Sequence, residues 1–126
     1  MILTTLKVVV LPEKRKDFLE TMKGMLEPTR VERGCLSCLF YEDVENRNGF
    51  VLLEEWATQE DLERHLSQDI QKQQLELMDL LSEQPHMRFD TVSHTVGMDL
   101  IENVRTRQMG CDKTGGNDAA GLDVST

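Results

Sequence analysis

Glu54 and Trp56 stand two residues apart in the run Phe50-Val51-Leu52-Leu53-Glu54-Glu55-Trp56, which has the β-branched and aromatic content of a strand. On a strand they share one face, together with Phe50 and Leu52. If that face lines a cavity, its carboxylate has the chemistry of a base and the indole supplies one donor. The same pair also reads as a core tryptophan with a structural hydrogen-bond acceptor, and both readings stay open. His65 falls on a helical signal, one turn before Asp69. It is an acid/base candidate for a pocket mouth, or else a packing or capping histidine. His94 lies within an alternating stretch and reads as a neutral histidine buried in a sheet. His86, beside Pro85, reads as an exposed loop residue; with no acid or second histidine at ligand spacing, it makes no metal site. Cys35-Leu36-Ser37-Cys38 spells C-x-x-C, but a redox pair normally sits at a helix N-terminus. Here the motif opens a strand, where residues three apart are expected on opposite faces, so Cys38 reads as a pocket or core residue. Gly115-Gly116 is not followed by a helix signal, and no phosphate loop or local Ser/His/Asp signature is present. No metal and no cofactor is expected.

The elements that must position these residues follow from periodicity. Ile2 to Leu11 reads as a first strand. Pro12 and Glu13 open a helix whose Phe18, Met22, Met25 and Leu26 recur at helical spacing, with Pro28 expected to kink or end it. Cys35 to Asp43 is a second strand, with Leu36, Cys38 and Phe40 on one face and Ser37, Leu39 and Tyr41 on the other. A turn over Glu45 to Gly49, punctuated by Asn48-Gly49, makes a hairpin with Phe50 to Trp56. Thr58 caps a second helix, with Asp61 three residues on, and Leu62, Leu66, Ile70, Leu77 and Leu81 extend an apolar stripe past a break near Ser67. Met87 to Asp99 alternates as a fourth strand. The β-α-β-β-α-β order predicts an α+β fold: a ferredoxin-like antiparallel sheet with helices on one face. The helix-free face is expected to carry Phe50, Leu52 and Trp56 beside Leu36, Cys38 and Phe40, an apolar patch that calls for a homodimer. The domain is expected to span 1–105, with a disordered tail over 106–126.

Bulk properties narrow the function classes. A chain of 126 residues fits one domain, and a formal charge of −9 repels nucleic acid and anionic membrane surfaces. No run approaches the ~18 apolar residues of a membrane span, and the N-terminus lacks the basic start of a signal peptide, so a cytoplasmic location is expected. Three cysteines, an odd set, argue against a disulfide framework.

Pro28-Thr29-Arg30-Val31-Glu32-Arg33-Gly34-Cys35-Leu36 resembles the Thr-Arg-x-Glu-Pro-Gly-Cys segment of antibiotic biosynthesis monooxygenase domains. Tyr41-Glu42-Asp43, then Phe50 to Trp56, then Leu62-Glu63-Arg64-His65 follow in the family's order and spacing, and the resemblance covers about residues 1 to 100. It implies a dimeric α+β barrel in which two four-stranded sheets enclose a pocket, with the Glu54 and Trp56 face pointing inward. It implies a cofactor-independent monooxygenase acting on a small aromatic or quinol-like molecule. Glu54 or His65 would be the base, Trp56 and Phe40 the walls, and Cys38, Phe50 and His94 further pocket residues. Arg33 stands where the family usually has Pro, Cys38 where an aromatic is common, and no second His follows His65. The heme-degrading branch uses an Asn on the first strand and a late His; Leu6 and Leu75 stand near those positions, so heme is not expected. The rival class is a non-oxygenase small-molecule binder or an isomerase on the same scaffold.

Overall fold

A computed structural model describes residues 1–68 and 76–111. The chain divides into two compact units, Met1–Thr91 and Val92–Thr126.

The first unit is one antiparallel sheet. Strands β1 (Ile2–Val9), β2 (Cys35–Asp43), β3 (Asn46–Trp56) and β4 (His86–Thr91) lie in the order β2-β3-β1-β4. A 3-10 turn over Pro12–Lys14 leads into helix α1 (Arg15–Arg30), and helix α2 (Gln59–Leu66) follows β3. This is the expected β-α-β-β-α-β order. Pro28 lies inside α1, which runs on to Arg30; Thr29 Oγ1 donates to the Met25 carbonyl at 2.9 Å in the same turn. Pro28 forgoes the bond its N–H would make one turn back, and the helix ends two residues beyond it rather than at it.

Turn chemistry and strand pairing revise other expectations. The hairpin turns at Val44 and Glu45, ahead of Asn48-Gly49. Asp43 Oδ1 accepts from the Glu45 N–H at 2.8 Å and Asn46 Oδ1 from the Asn48 N–H at 3.0 Å, so the two side chains build the turn themselves. Asn48-Gly49 instead falls beside a register irregularity between Glu42 and Asp43. The fourth strand stops at Thr91 because Thr91 pairs with Ile2, the first residue of β1, so Val92 to Gly97 have no residue of β1 left to pair with. Val92 to Gly97 are irregular, and His94 is exposed there rather than buried in a sheet. In the second unit a helix, α3 (Asp99–Cys111), with Asp99 and Glu102 in its first turn, runs through the expected domain boundary at 105/106. Residues 112–126, and Ile70 of the α2 stripe, lie outside the described residues.

The face assignment is reversed. Val8 and Phe50 pack against Phe18 and Met22 of α1, and Ile2 and Trp56 pack against Leu62 of α2. The face with Phe50, Leu52, Glu54 and Trp56 is therefore the one the helices cover. An amphipathic helix must bury its stripe, and this strand face is the most apolar surface available to it. The helix-free face instead carries half-buried Leu3, Val51 and Leu53 beside exposed Leu39 and Tyr41. Among the described residues, no helix is long and apolar enough to cross a membrane.

Candidate active site

The turn between α1 and β2 sets the position of α2. Gly34 has φ +84°, in the left-handed region, and a Cβ there would collide with the Asp61 side chain. Gly34 accepts from the Ala57 N–H at 2.8 Å. Thr58 caps α2 by accepting from the Asp61 N–H at 3.1 Å, and its hydroxyl donates to Asp61 Oδ2 at 2.8 Å. Arg64 Nη1 also donates to Asp61 at 2.8 Å. The Arg64 and Thr58 bonds hold the Asp61 carboxyl below its ordinary range. Docked this way, α2 inserts Leu62 beside Trp56 and lays the His65 ring over the indole, with centroids 4.7 Å apart. Glu32, from the same turn, reaches His65 Nδ1 at 2.9 Å.

The sheet supplies the rest. Antiparallel register sets Cys38, Glu54, Thr4 and Phe89 in one row across all four strands. Glu54 is 6% exposed. Its Oε1 accepts from Trp56 Nε1 at 3.1 Å and from Thr4 Oγ1 at 3.4 Å, and its Oε2 lies 4.0 Å from Cys38 Sγ. His65 Nε2 lies 3.8 Å from Glu54 Oε1. Histidine thus sits between two carboxylates, one in hydrogen-bond contact and one just beyond it.

Cys35 and Cys38 share a face after all. A register shift between Cys35 and Ser37 pairs Cys35 with Trp56 and Cys38 with Glu54, and the extra residue, Leu36, cancels the alternation that would have separated the thiols. Burial first, then the Glu54 carboxylate, push the Cys38 thiol up to about 12; the same two causes raise Cys35. Both therefore stay protonated and are poor nucleophiles.

A pocket of about 660 Å3 opens between the sheet and the helices. Its floor is Thr4, Leu6, Leu52 and Glu54, its sides Met22, Met25 and His65, and Met87 and Phe89 stand half-exposed at the rim. Among the described residues, Thr4, Glu54 and His65 are its polar lining. Such a cavity suits an apolar molecule oriented by one or two polar atoms. No group of three or more metal-ligating side chains occurs among the described residues.

Of the residues singled out from the sequence, Glu54 and His65 face this pocket. Trp56, fully buried, lies behind it as core and as a donor to Glu54. Cys38 is buried beside Glu54, outside the pocket lining. Phe40 and Phe50 are away from the pocket, stacked at 5.3 Å in a cluster with Phe18. His94 lies exposed in the second unit. Sequence reasoning missed Glu32, Thr4, Met87 and Phe89. Glu32 had a usable signal, an acid two residues before a turn glycine, but no spacing rule links it to His65, 33 positions on.

Comparison with known proteins bears on this geometry. Over 58 residues the chain is 36% identical to an uncharacterized protein of Synechocystis, a match that spans 46% of this chain and 40% of that protein. The chain thus covers less than half the length of that relative. Over 65 residues it is 32% identical to the Bacillus subtilis protein YcnE, named as a candidate monooxygenase, covering 52% of this chain and 68% of that one. Its fold matches the crystal structure of a Deinococcus radiodurans protein, described as a candidate antibiotic biosynthesis monooxygenase, with a TM-score of 0.71 at 18% identity. That match covers 78% of this chain and 98% of the other. The sequence model of the family described as antibiotic biosynthesis monooxygenase matches residues 1–76, and this chain belongs to that family.

Proposed function

We propose that the protein is a cofactor-independent monooxygenase that binds a small phenolic or quinol-like aromatic between the sheet and α2. The observation that carries this reading is the Glu32–His65–Glu54 arrangement opening onto an apolar pocket. His65 Nε2 and Glu54 Oε1 lie 3.8 Å apart at the pocket wall, and a ligand hydroxyl placed beside them has its proton within reach of Nε2. Transfer of that proton to His65 Nε2 leaves an imidazolium between two carboxylates and an electron-rich aryloxide in a desolvated site. Dioxygen then attacks the activated ring carbon; one oxygen atom stays on that carbon as a carbonyl, and the other leaves as water with the two hydrogens lost by the substrate. Glu54 and Thr4 orient the ligand, and Met22, Met25 and Leu52 exclude water.

Oxygen uptake with anthrol- and quinol-type substrates tests this. The wild type should consume one dioxygen per quinone formed, and Glu54→Gln and His65→Ala should each lower the rate by roughly 10²–10⁴-fold, the usual share of a general base. Binding of such phenols without any oxygen uptake would overturn the oxygenase reading. The 3.8 Å acid/base pair equally favours proton shuttling, so that outcome would leave an isomerase on the same scaffold.

The helix-free face carries Leu39 and Tyr41, 44% and 49% exposed, above half-buried Leu3, Val51 and Leu53. We propose that a second copy covers it, giving a homodimer with the ligand pockets on the outer, helix-covered sides. Light scattering at micromolar concentration should give twice 14.5 kDa. A folded species at the single-chain mass would contradict the pairing.

A further inference from the structure

Two cavities meet at His65. The larger, apolar one lies on the Glu54 side. A second, of about 230 Å3, lies behind the ring and is lined by Glu32, Pro28, Thr29 and Gln68. Glu32 lines only the smaller cavity, while His65 lines both. The two ring nitrogens thus look into different environments: Nε2 toward Glu54 at 3.8 Å, Nδ1 toward both Glu32 oxygens at 3.0 and 2.9 Å.

We propose that Glu32 is a positioning residue that sets the tautomer of His65. A carboxylate can only accept, so the hydrogen of the neutral ring must sit on Nδ1. Nε2 then offers its lone pair to the ligand pocket. Without Glu32, Nε2–H is the favoured form, as for a free histidine side chain. It would donate to Glu54 and present a hydrogen where a ligand hydroxyl needs an acceptor. Glu32 therefore decides whether the pocket holds a base or a donor. When the ligand O–H breaks and Nε2–H forms, Glu32 stays ionised and stabilises the imidazolium, as the orienting acid of a hydrolase triad does. The Glu32 side chain is 20% exposed, so the smaller cavity gives small solutes a route to this position. The functional consequence rests on the reading of His65 as the proton acceptor; the tautomer itself does not.

The test is long-range proton–nitrogen NMR of the His65 ring in the full chain without ligand, under conditions where the spectrum shows the neutral ring. The His65 signals are identified by their loss in His65→Ala. The wild type should show protonated Nδ1 and bare Nε2. Glu32→Gln, whose amide oxygen still accepts, should keep that pattern, and Glu32→Ala should invert it. Formate should enter the enlarged small cavity of Glu32→Ala and restore the original pattern. A wild-type ring protonated at Nε2 would overturn the proposal even if Glu32→Ala did not fold, as would an unchanged tautomer in a folded Glu32→Ala. Failure of formate to act would overturn the solute route. With a phenolic substrate, Glu32→Ala should lose roughly 10²–10⁴-fold in kcat with KM little changed. Because the tautomer is read without ligand, failure of the oxygenase reading would leave the NMR result standing.

Discussion

The two ends of the helix-covered face of β3 obey one alternation and serve opposite purposes. At the Phe50 end three phenylalanines fill the space under α1, with centroids 5.1–5.9 Å apart and Phe50 only 2% exposed. Near the Trp56 end the same face buries Glu54, takes an indole N–H and a threonine hydroxyl, and meets a histidine. The difference lies in the covering side chains. Helix α1 has 16 residues and presents Phe18 and Met22, whereas α2 has eight and presents Leu62 and His65. Phe18 of α1 packs the aromatic end, whereas Met22 and Met25 of the same helix and His65 of the shorter α2 wall the pocket over Glu54. One strand can thus hold a core and a site together, because burial at one end rigidifies the other.

The comparison breaks if the aromatic end is not a core. Phe50→Ala should cost about 3–5 kcal/mol in denaturant unfolding, the range for a fully buried aromatic. A cost under about 1 kcal/mol would mean the face collapses without loss. A gentler change sharpens the polar end. Trp56→Phe keeps an aromatic ring but removes the donor to Glu54 and part of the buried indole, and should cost at least about 1.5–3 kcal/mol, the range for a bond to a charged group. It should still lower ligand affinity or turnover more than Phe40→Leu does at the aromatic end. Equal functional losses from the two would erase the distinction. The smallest effect is in acid. The Asp61 carboxyl is held low by Arg64 and Thr58, so its contribution is fully present above the ordinary carboxylate range near ~3.9. That contribution is lost as pH falls through the depressed value. Amide signals of α2 should therefore broaden before those of α1 on acidification, and Asp61→Asn should flatten the acid limb of the stability curve.

Much of the fold was legible because its signals are local. The alternation in Phe50 to Trp56, the Thr58 cap and the Pro12 start each depend on a few adjacent residues, and all three elements form. What failed depended on distant partners. Val92 to Met98 alternates like a strand, yet β1 has no residues left to pair with it. Cys35 and Cys38 were assigned to opposite faces by spacing, and a bulge visible only in the pairing with β3 brings them together. Which sheet face the helices would cover was also not written in β3 itself; it depended on where Phe18 and Leu62 could be buried. Glu54 and His65 could be named one by one from residue type. Their joint placement, and the part of Glu32, needed the packing of α2 on the Gly34 turn.

The most direct test of the central claim is a crystal structure with a planar phenol bound. The phenolic oxygen should lie about 2.6–3.2 Å from His65 Nε2, within reach of a general base, with the ring over Leu52 and between Met25 and the rim residue Phe89. A phenol seated instead against Leu39, Tyr41 and Leu53, on the helix-free face, would contradict it and return the binding site to the interior of the barrel.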